Sequence, residues 1–340
     1  MKRTLITKSK PPAQGGGRFL KRESTLEFIT TGCAILDCVL GGGWPLGRIA
    51  NVVGDKSTGK TLLGIEATAN FARQYPKGFI RYNEVEAAFD RPYAQALGLP
   101  IDRVDFAENC FTVEDFYTDL KKAIERSKKE EQPGLYILDS LDALSDRAEL
   151  ESDIDKGTYG AAKAKKMSEL FRRLVQQAAQ SKLSIIIISQ VRDAIGVTFG
   201  DKKTRSGGHA LDFYASQVVY LAHLKSLTRT IKGVIRPTGV RIRAKVKKNK
   251  INLPQRECEF DIRFGFGIDD IAANLNWMEK ESPNTLKELD IKADAINRFL
   301  RAAEDAPPDE YVTLRDKIAA HTATAWMAVE EEFMPTRSKY

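Results

Sequence analysis

The sequence predicts an α/β fold, a mainly parallel, twisted sheet flanked by helices, with a short arm before it and a small, mainly helical region after it. Three observations lead there. Short apolar runs at residues 49–53, 78–82, 135–138 and 183–188 carry few polar side chains, as strands buried on both faces do. Segments of helical spacing, such as 113–128 and 161–180, lie between them and give the alternation that crossover helices impose on a parallel sheet. The first run leads into a glycine-rich turn and then a helix-like stretch at 61–74, so ligands are expected at the carboxyl edge of the sheet.

The elements follow in order. Residues 1–27 contain Pro11-Pro12 and Gly15-Gly16-Gly17, which favour an extended tether over packed structure. The βα alternation then occupies the chain to about residue 216. Runs at 218–222, 239–246 and 257–263 follow without intervening helices and read as hairpin-type strands appended to the sheet. From Asp270 the pattern becomes helical. Segments 291–303 and 311–333 are amphipathic and are separated by Ala306-Pro307-Pro308. The expected organisation is an arm at 1–27, a core at 28–268 and a C-terminal region at 269–340.

Composition bounds the class. With 340 residues, 42% hydrophobic and 29% charged, the chain reads as a soluble α/β protein with one large core and a small satellite. No apolar stretch approaches the roughly 20 residues that span a bilayer, and the opening Met1-Lys-Arg-Thr leads into polar sequence, so a cytoplasmic protein is expected. Cys33, Cys38, Cys110 and Cys258 lack the paired short spacings of zinc sites.

The net charge of +7 is unevenly distributed. The arm carries seven Lys/Arg against two Glu, residues 269–340 carry nine against fifteen acids, and the remainder holds 37 against 29. Between Lys225 and Arg256 there are eleven Lys/Arg and no acid. A solvated face normally mixes signs, so this run points to an anionic partner, with nucleic acid first. A merely solubilising basic strand pair is the alternative.

Gly54-Asp-Lys-Ser57-Thr58-Gly59-Lys60-Thr61 fits G-x-x-x-x-G-K-[ST]. A strand that turns through glycines into a helix gathers backbone N–H groups and a positive helix end into one concavity, which suits a polyphosphate such as that of ATP. Lys60 would reach the β and γ phosphates and the Thr61 hydroxyl would hold Mg²⁺. Asp139 ends an apolar run at the expected carboxyl edge, as a carboxylate ordering water around Mg²⁺ should. Glu84-Val-Glu86 follows another run, with Glu86 the favoured base. A Glu after a strand also serves simply as a helix N-terminal acid. Gln190 closes the run at 183–188 with an amide able to sense a γ phosphate.

These residues resemble the bacterial RecA recombinase family, over residues 28–268. Glu86-Ala-Ala-Phe-Asp90-Arg-Pro-Tyr93 looks like that family's catalytic glutamate followed by its adenine-contacting Asp90 and Tyr93. Leu138-Asp139-Ser140-Leu-Asp142-Ala-Leu144 resembles its second nucleotide motif. Ser189-Gln190-Val-Arg192-Asp-Ala-Ile195-Gly196-Val197-Thr-Phe-Gly200, continuing to Ser206-Gly207-Gly208-His209-Ala-Leu-Asp-Phe213, resembles its glutamine switch joined to a DNA-binding loop. Val246-Lys-Lys248-Asn-Lys250 matches the lysines that reach the γ phosphate of a neighbouring subunit.

The resemblance implies ATP with Mg²⁺ between protomers of a helical filament on single-stranded DNA, pairing with homologous duplex DNA, with no membrane partner and a place beside the nucleoid. Lys165, Ser168 and Arg172, spaced i, i+3 and i+7 on one helix face, and Arg173 beside them, match DNA-contacting positions, as do Arg192, Ile195, Gly196, Val197, Gly207, Gly208 and His209. Phe213, Lys248 and Lys250 match subunit-interface positions. Exposed basic helix residues are otherwise ordinarily just solvated, and Ile195 reads equally as a core residue at a strand end.

Departures accompany the match. Asp55 and Lys56 stand where Pro and Glu are usual, Asp212 where a basic residue precedes Phe213, and His209 where Asn is usual. The arm is not clearly helical. A ring-shaped helicase or clock-type ATPase on the same core would predict closed hexamers, and a DNA-coating or annealing protein would lack turnover. The pair Lys248 and Lys250 argues against the first, and Glu86, Asp139 and Gln190 together against the second.

Overall fold

A computed structural model describes residues 26–87, 89–150, 160–193, 203–205 and 210–337. Its centre is one sheet of strand order β12-β11-β10-β9-β3-β7-β6-β4-β5. The parallel part comprises β3 (Ile49–Gly54), β4 (Phe79–Glu84), β5 (Val104–Phe106), β6 (Gly134–Asp139), β7 (Leu183–Asp193) and β9 (Gln217–Ile231). The antiparallel part adds β10 (Val234–Asn249), β11 (Glu257–Arg263) and β12 (Gly267–Asp269). A separate two-residue pair, β1 (Phe28–Ile29) with β2 (Trp44–Pro45), stands before them. The α/β expectation therefore holds.

Period-two alternation assigns the strand residues to two cores. Ile186 and Ile188 of β7, with Leu135 and Ile137 of β6, face one side, where α2 (Lys60–Gln74) contributes Leu62, Leu63 and Phe71. Ile185 and Ile187, with Tyr136 and Leu138, face the other, against Phe116 and Leu120 of α4 (Val113–Glu130) and Met167, Phe171 and Leu174 of α6 (Gly160–Gln180). Helix α4 starts at a capping box, Thr112 with Asp115, which satisfies two otherwise orphaned N–H groups.

Several boundaries differ from the sequence reading. Strand β4 runs on to Glu84, and β7 extends past Ile188 to Asp193, where β8 (Lys203–Arg205) pairs with it antiparallel, Val191 opposite Arg205. The expected runs at 218–222 and 239–246 lie inside one long hairpin, β9 and β10, whose tip turns through Lys232 (φ 49°) and Gly233 (φ 79°). Residues 223–237 are mostly exposed on both faces. They lack a burial pattern to read, and the ladder rather than a core sustains them.

After β12, α8 (Asp270–Glu281), α9 (Pro283–Glu288), α10 (Ile296–Glu304) and α11 (Pro308–Glu332) build a satellite core around Leu275, Met278 and Ile318. The prolines separate α10 from α11 as expected, and Pro308 stands in the first turn of α11, where the missing N–H costs nothing. Trp326 of α11 joins the main core and lies 5.6 Å from the Trp277 ring. Arg256 clasps Glu330 at 2.7 Å. All four cysteines are free and buried.

Candidate functional site

Strand register brings the candidate residues to one edge. Gly54 at the end of β3 is level with Gln190 on β7, and Glu84 at the end of β4 is level with Asp139 on β6. The turn after β3 holds Ser57 at φ 57° and Gly59 at φ 81° as α2 begins. Ile262 of β11 lies against Gly59, so any side chain there would collide with it as well as strain the backbone. Lys60 is buried at the first position of α2, and its ammonium donates to the Asp55 carbonyl at 2.7 Å. Thr58 donates to the same carbonyl at 2.8 Å. The Asp55 carboxylate accepts from the Lys56 N–H, which leaves this departure from the usual pattern engaged with its own loop.

Burial pushes the Lys60 ammonium below its ordinary range, opposed by Glu86, Asp139, Asp55 and Asp142 around it. Burial likewise raises Asp139 to about 6, against the lowering effect of a Thr61 hydrogen bond and with Glu86 adding repulsion. Thr61 and Asp139 thus place two hard oxygen donors side by side, the donor chemistry that suits Mg²⁺. Tyr82 donates to Asp139 Oδ2 at 3.3 Å from within the sheet.

Glu86 stands two residues beyond β4 and is exposed. Its Oε1 accepts from the Gln190 side-chain amide at 2.6 Å and from the Ser140 hydroxyl. The backbone N–H of Gln190 donates to Asp142 Oδ2 at 2.6 Å. Ser140 and Asp142 fall within the second nucleotide motif but carry no role of their own in the sequence reading, and Tyr82 appears there only as the end of an apolar run. Ser140 and Asp142 closely follow Asp139 and could have been found by position, whereas nothing local marks Tyr82.

The adjoining positions take mixed roles. Asp90 caps α3 (Arg91–Ala96), accepting from the Tyr93 N–H at 2.9 Å, which is the local explanation for an acid there. Tyr93 is half-buried against the core. On α6, Lys165 and Arg172 are exposed and, among the described residues, form no ion pair, while Arg173 pairs with Glu169 one turn earlier. Ser168 lies half-buried between them. Arg192 falls in β7; Ile195, Gly196, Val197, Gly207, Gly208 and His209 lie outside the described residues, as do residues 1–25 of the arm.

Lys248 and Lys250 are elsewhere. Lys248 is opposite Val218 of β9, which is itself level with Asn51, so the pair sits toward the amino end of β3, away from the P-loop of its own chain. Their ammonium groups cap the end of α7 (Ala210–Tyr214): Lys248 donates to the Asp212 and Phe213 carbonyls, and Lys250 to that of Phe213 at 3.3 Å. Burial first, then Lys250, lowers Lys248 to about 8. Phe213 is 71% exposed, a large aromatic left outside any core of this chain.

Residues 16–269 match the family described as the RecA N-terminal domain. The chain belongs to the RecA family. It is 34% identical over 255 residues to protein RecA of Synechocystis, covering 75% of this chain and 69% of that protein. Protein RecA of Prochlorococcus marinus is 35% identical over 260 residues, with 75% and 66% covered. That of Nostoc punctiforme is 33% identical over 255 residues, with 75% and 68% covered. The chain thus spans about two thirds of the length of these RecA relatives. Among the described residues, no helix is long and apolar enough to cross a membrane.

Proposed function

We propose that this protein is an ATP-dependent homologous recombinase that assembles on single-stranded DNA, pairs it with homologous duplex DNA, promotes strand exchange and hydrolyses ATP in response to DNA. The observation that carries the reading is the Gln190 amide on Glu86 Oε1 at the carboxyl edge of the sheet. It joins the residue best placed to orient a water for attack to the strand from which the family's DNA-binding loop departs.

In this reading the 54–61 loop cradles the phosphates through its N–H groups, with Lys60 exchanging the Asp55 carbonyl for phosphate oxygens. Thr61 and Asp139 would hold Mg²⁺, which neutralises charge on the β and γ oxygens. Glu86 orients the attacking water once Gln190 turns to the γ phosphate. Asp90 and Tyr93 border the base.

Lys248 and Lys250 would approach the phosphates of a neighbouring protomer, exchanging the end of α7 for that charge, so two subunits complete each site. The position of both lysines toward the amino end of β3 supports donation in trans, and exposed Phe213 supports a packed interface beside them. Lys165, Ser168, Arg172 and Arg173 would meet DNA phosphates together with Arg192 and the segment after it. Residues 28–268 form the ATPase and DNA-binding core, 1–27 a subunit-contacting arm, and 269–340 an acidic cap. The protein would work on DNA in the cytoplasm.

The test is strand exchange between a circular single strand and its linear homologous duplex, with ATP and Mg²⁺. Joint molecules that require homology support the reading. Directional unwinding of the duplex without homology would replace it with the helicase motor.

A further inference from the structure

We infer that Asp142 and Lys163 form a positioning junction through which the nucleotide state at Gln190 reaches helix α6. This rests on the recombinase reading above and goes beyond it, since that reading gives neither residue a contact with phosphate, Mg²⁺ or DNA.

The turn at residues 140–144 touches three elements at once. Ser140 donates to Glu86, and the Asp142 carboxylate accepts the Gln190 backbone N–H at 2.6 Å. The Lys163 ammonium donates to the carbonyls of Leu144 and, at 3.4 Å, of Asp142. Lys163 is 8% exposed, so its charge is held inside the protein against the turn rather than offered to solvent. The other Asp142 carboxylate oxygen, Oδ1, is buried and, among the described residues, has no hydrogen-bond partner. Leaving a buried acceptor unmatched is costly, and a charge-assisted bond to one peptide N–H is the visible return.

Gln190 is consequently held at both ends, its amide by Glu86 and its peptide by Asp142. A glutamine that turned toward a phosphate would pull on that peptide. The pull would pass through the 140–144 turn to Lys163, two residues before Lys165 and on the helix that carries Ser168 and Arg172. The junction is one contiguous set of contacts between two sites, and only a coupling measurement gives it functional content.

The experiment measures affinity for a fluorescent single-stranded oligonucleotide with and without a non-hydrolysable ATP analogue, and takes the ratio. In Asp142→Ala the ratio is expected to fall at least about fivefold, the lower range of allosteric coupling. Asp142→Asn, which keeps an acceptor oxygen for the Gln190 N–H, is expected to retain most of it. Lys163→Met, which keeps the aliphatic stem and removes the ammonium, is expected to lose a similar factor, and the double variant Asp142→Ala with Lys163→Met no more than either alone. A purely structural role would weaken binding equally in both conditions, and that unchanged ratio would overturn the inference. So would fully additive losses. If Asp142→Ala does not fold, Lys163→Met decides alone by the same ratio. A wild-type protein whose DNA affinity ignores the analogue would remove the recombinase reading first, and this inference with it.

Discussion

Glu86 Oε1 accepts from the Gln190 amide at 2.6 Å and from the Ser140 hydroxyl, so the oxygen best placed to polarise a water is already satisfied by protein donors. In the proposed reading, Gln190 leaves before Glu86 acts. This is then a resting arrangement, in which the strand leading toward the proposed DNA-binding segment also withholds the proposed base.

Glu86→Gln is expected to lower the rate of ATP hydrolysis by at least about 100-fold, the usual scale for loss of a general base. Binding of a fluorescent ATP analogue should change by less than about threefold, because the cradle is built from the 54–61 loop. Unchanged turnover would remove Glu86 from the assignment.

Asp139 has its proton affinity raised to about 6 by burial and by Glu86. In the proposed site the cation would displace that proton, so apparent Mg²⁺ affinity should be independent of pH above about 7 and weaken as pH falls through 6, approaching tenfold per pH unit in the acid limit. Titration calorimetry with Mg²⁺ and ADP at several pH values checks this. A flat profile from pH 5 to 8 would contradict it.

Lys248 and Lys250 on one chain and Glu86 on another should complement each other. A Glu86→Ala chain and a Lys248→Ala, Lys250→Ala chain are each expected to be nearly inactive with DNA. Mixed in equal amounts they should regain about a quarter of wild-type turnover, because one head-to-tail junction in four unites the intact halves. No recovery in a mixture that co-assembles would place the lysines in the site of their own chain.

Glu66 on α2 is pushed up to about 7, chiefly by burial, despite a hydrogen bond from the Ile268 backbone and the nearby Arg73. The folded state thus holds this proton more tightly than the unfolded chain. The stabilisation is complete below the ordinary value of about 4.3 and is lost as pH rises through 7. Glu66→Gln should therefore raise the melting temperature by a few °C at pH 8 and by little at pH 5. An equal shift at both pH values would show that the carboxylate is not the cause.

The legible parts of this chain were those in which local pattern and burial coincide. β3, the 54–61 loop and α2 form a contiguous signal, and Asp139 and Gln190 each close an apolar run that the sheet buries on both faces. The hairpin of β9 and β10 was only half legible. Its outer residues face solvent on both sides, and Arg229 stands directly opposite Arg236, a pairing that no burial rule foretells. The contact made by Asp142 was hidden for another reason: its partner, the Gln190 N–H, is 48 residues away, and only the parallel register unites them. Lys248 and Lys250 came from the family resemblance, because two lysines near a strand end carry no chemistry until the end of α7 is seen beneath them.

The central claim is tested most directly by ATP turnover with and without single-stranded DNA, together with electron microscopy of the same mixture in a non-hydrolysable ATP analogue. Turnover stimulated at least about tenfold by DNA, the factor that about 1.4 kcal/mol of barrier lowering gives, is expected together with extended helical filaments. Turnover indifferent to DNA, or closed rings in place of filaments, would contradict it.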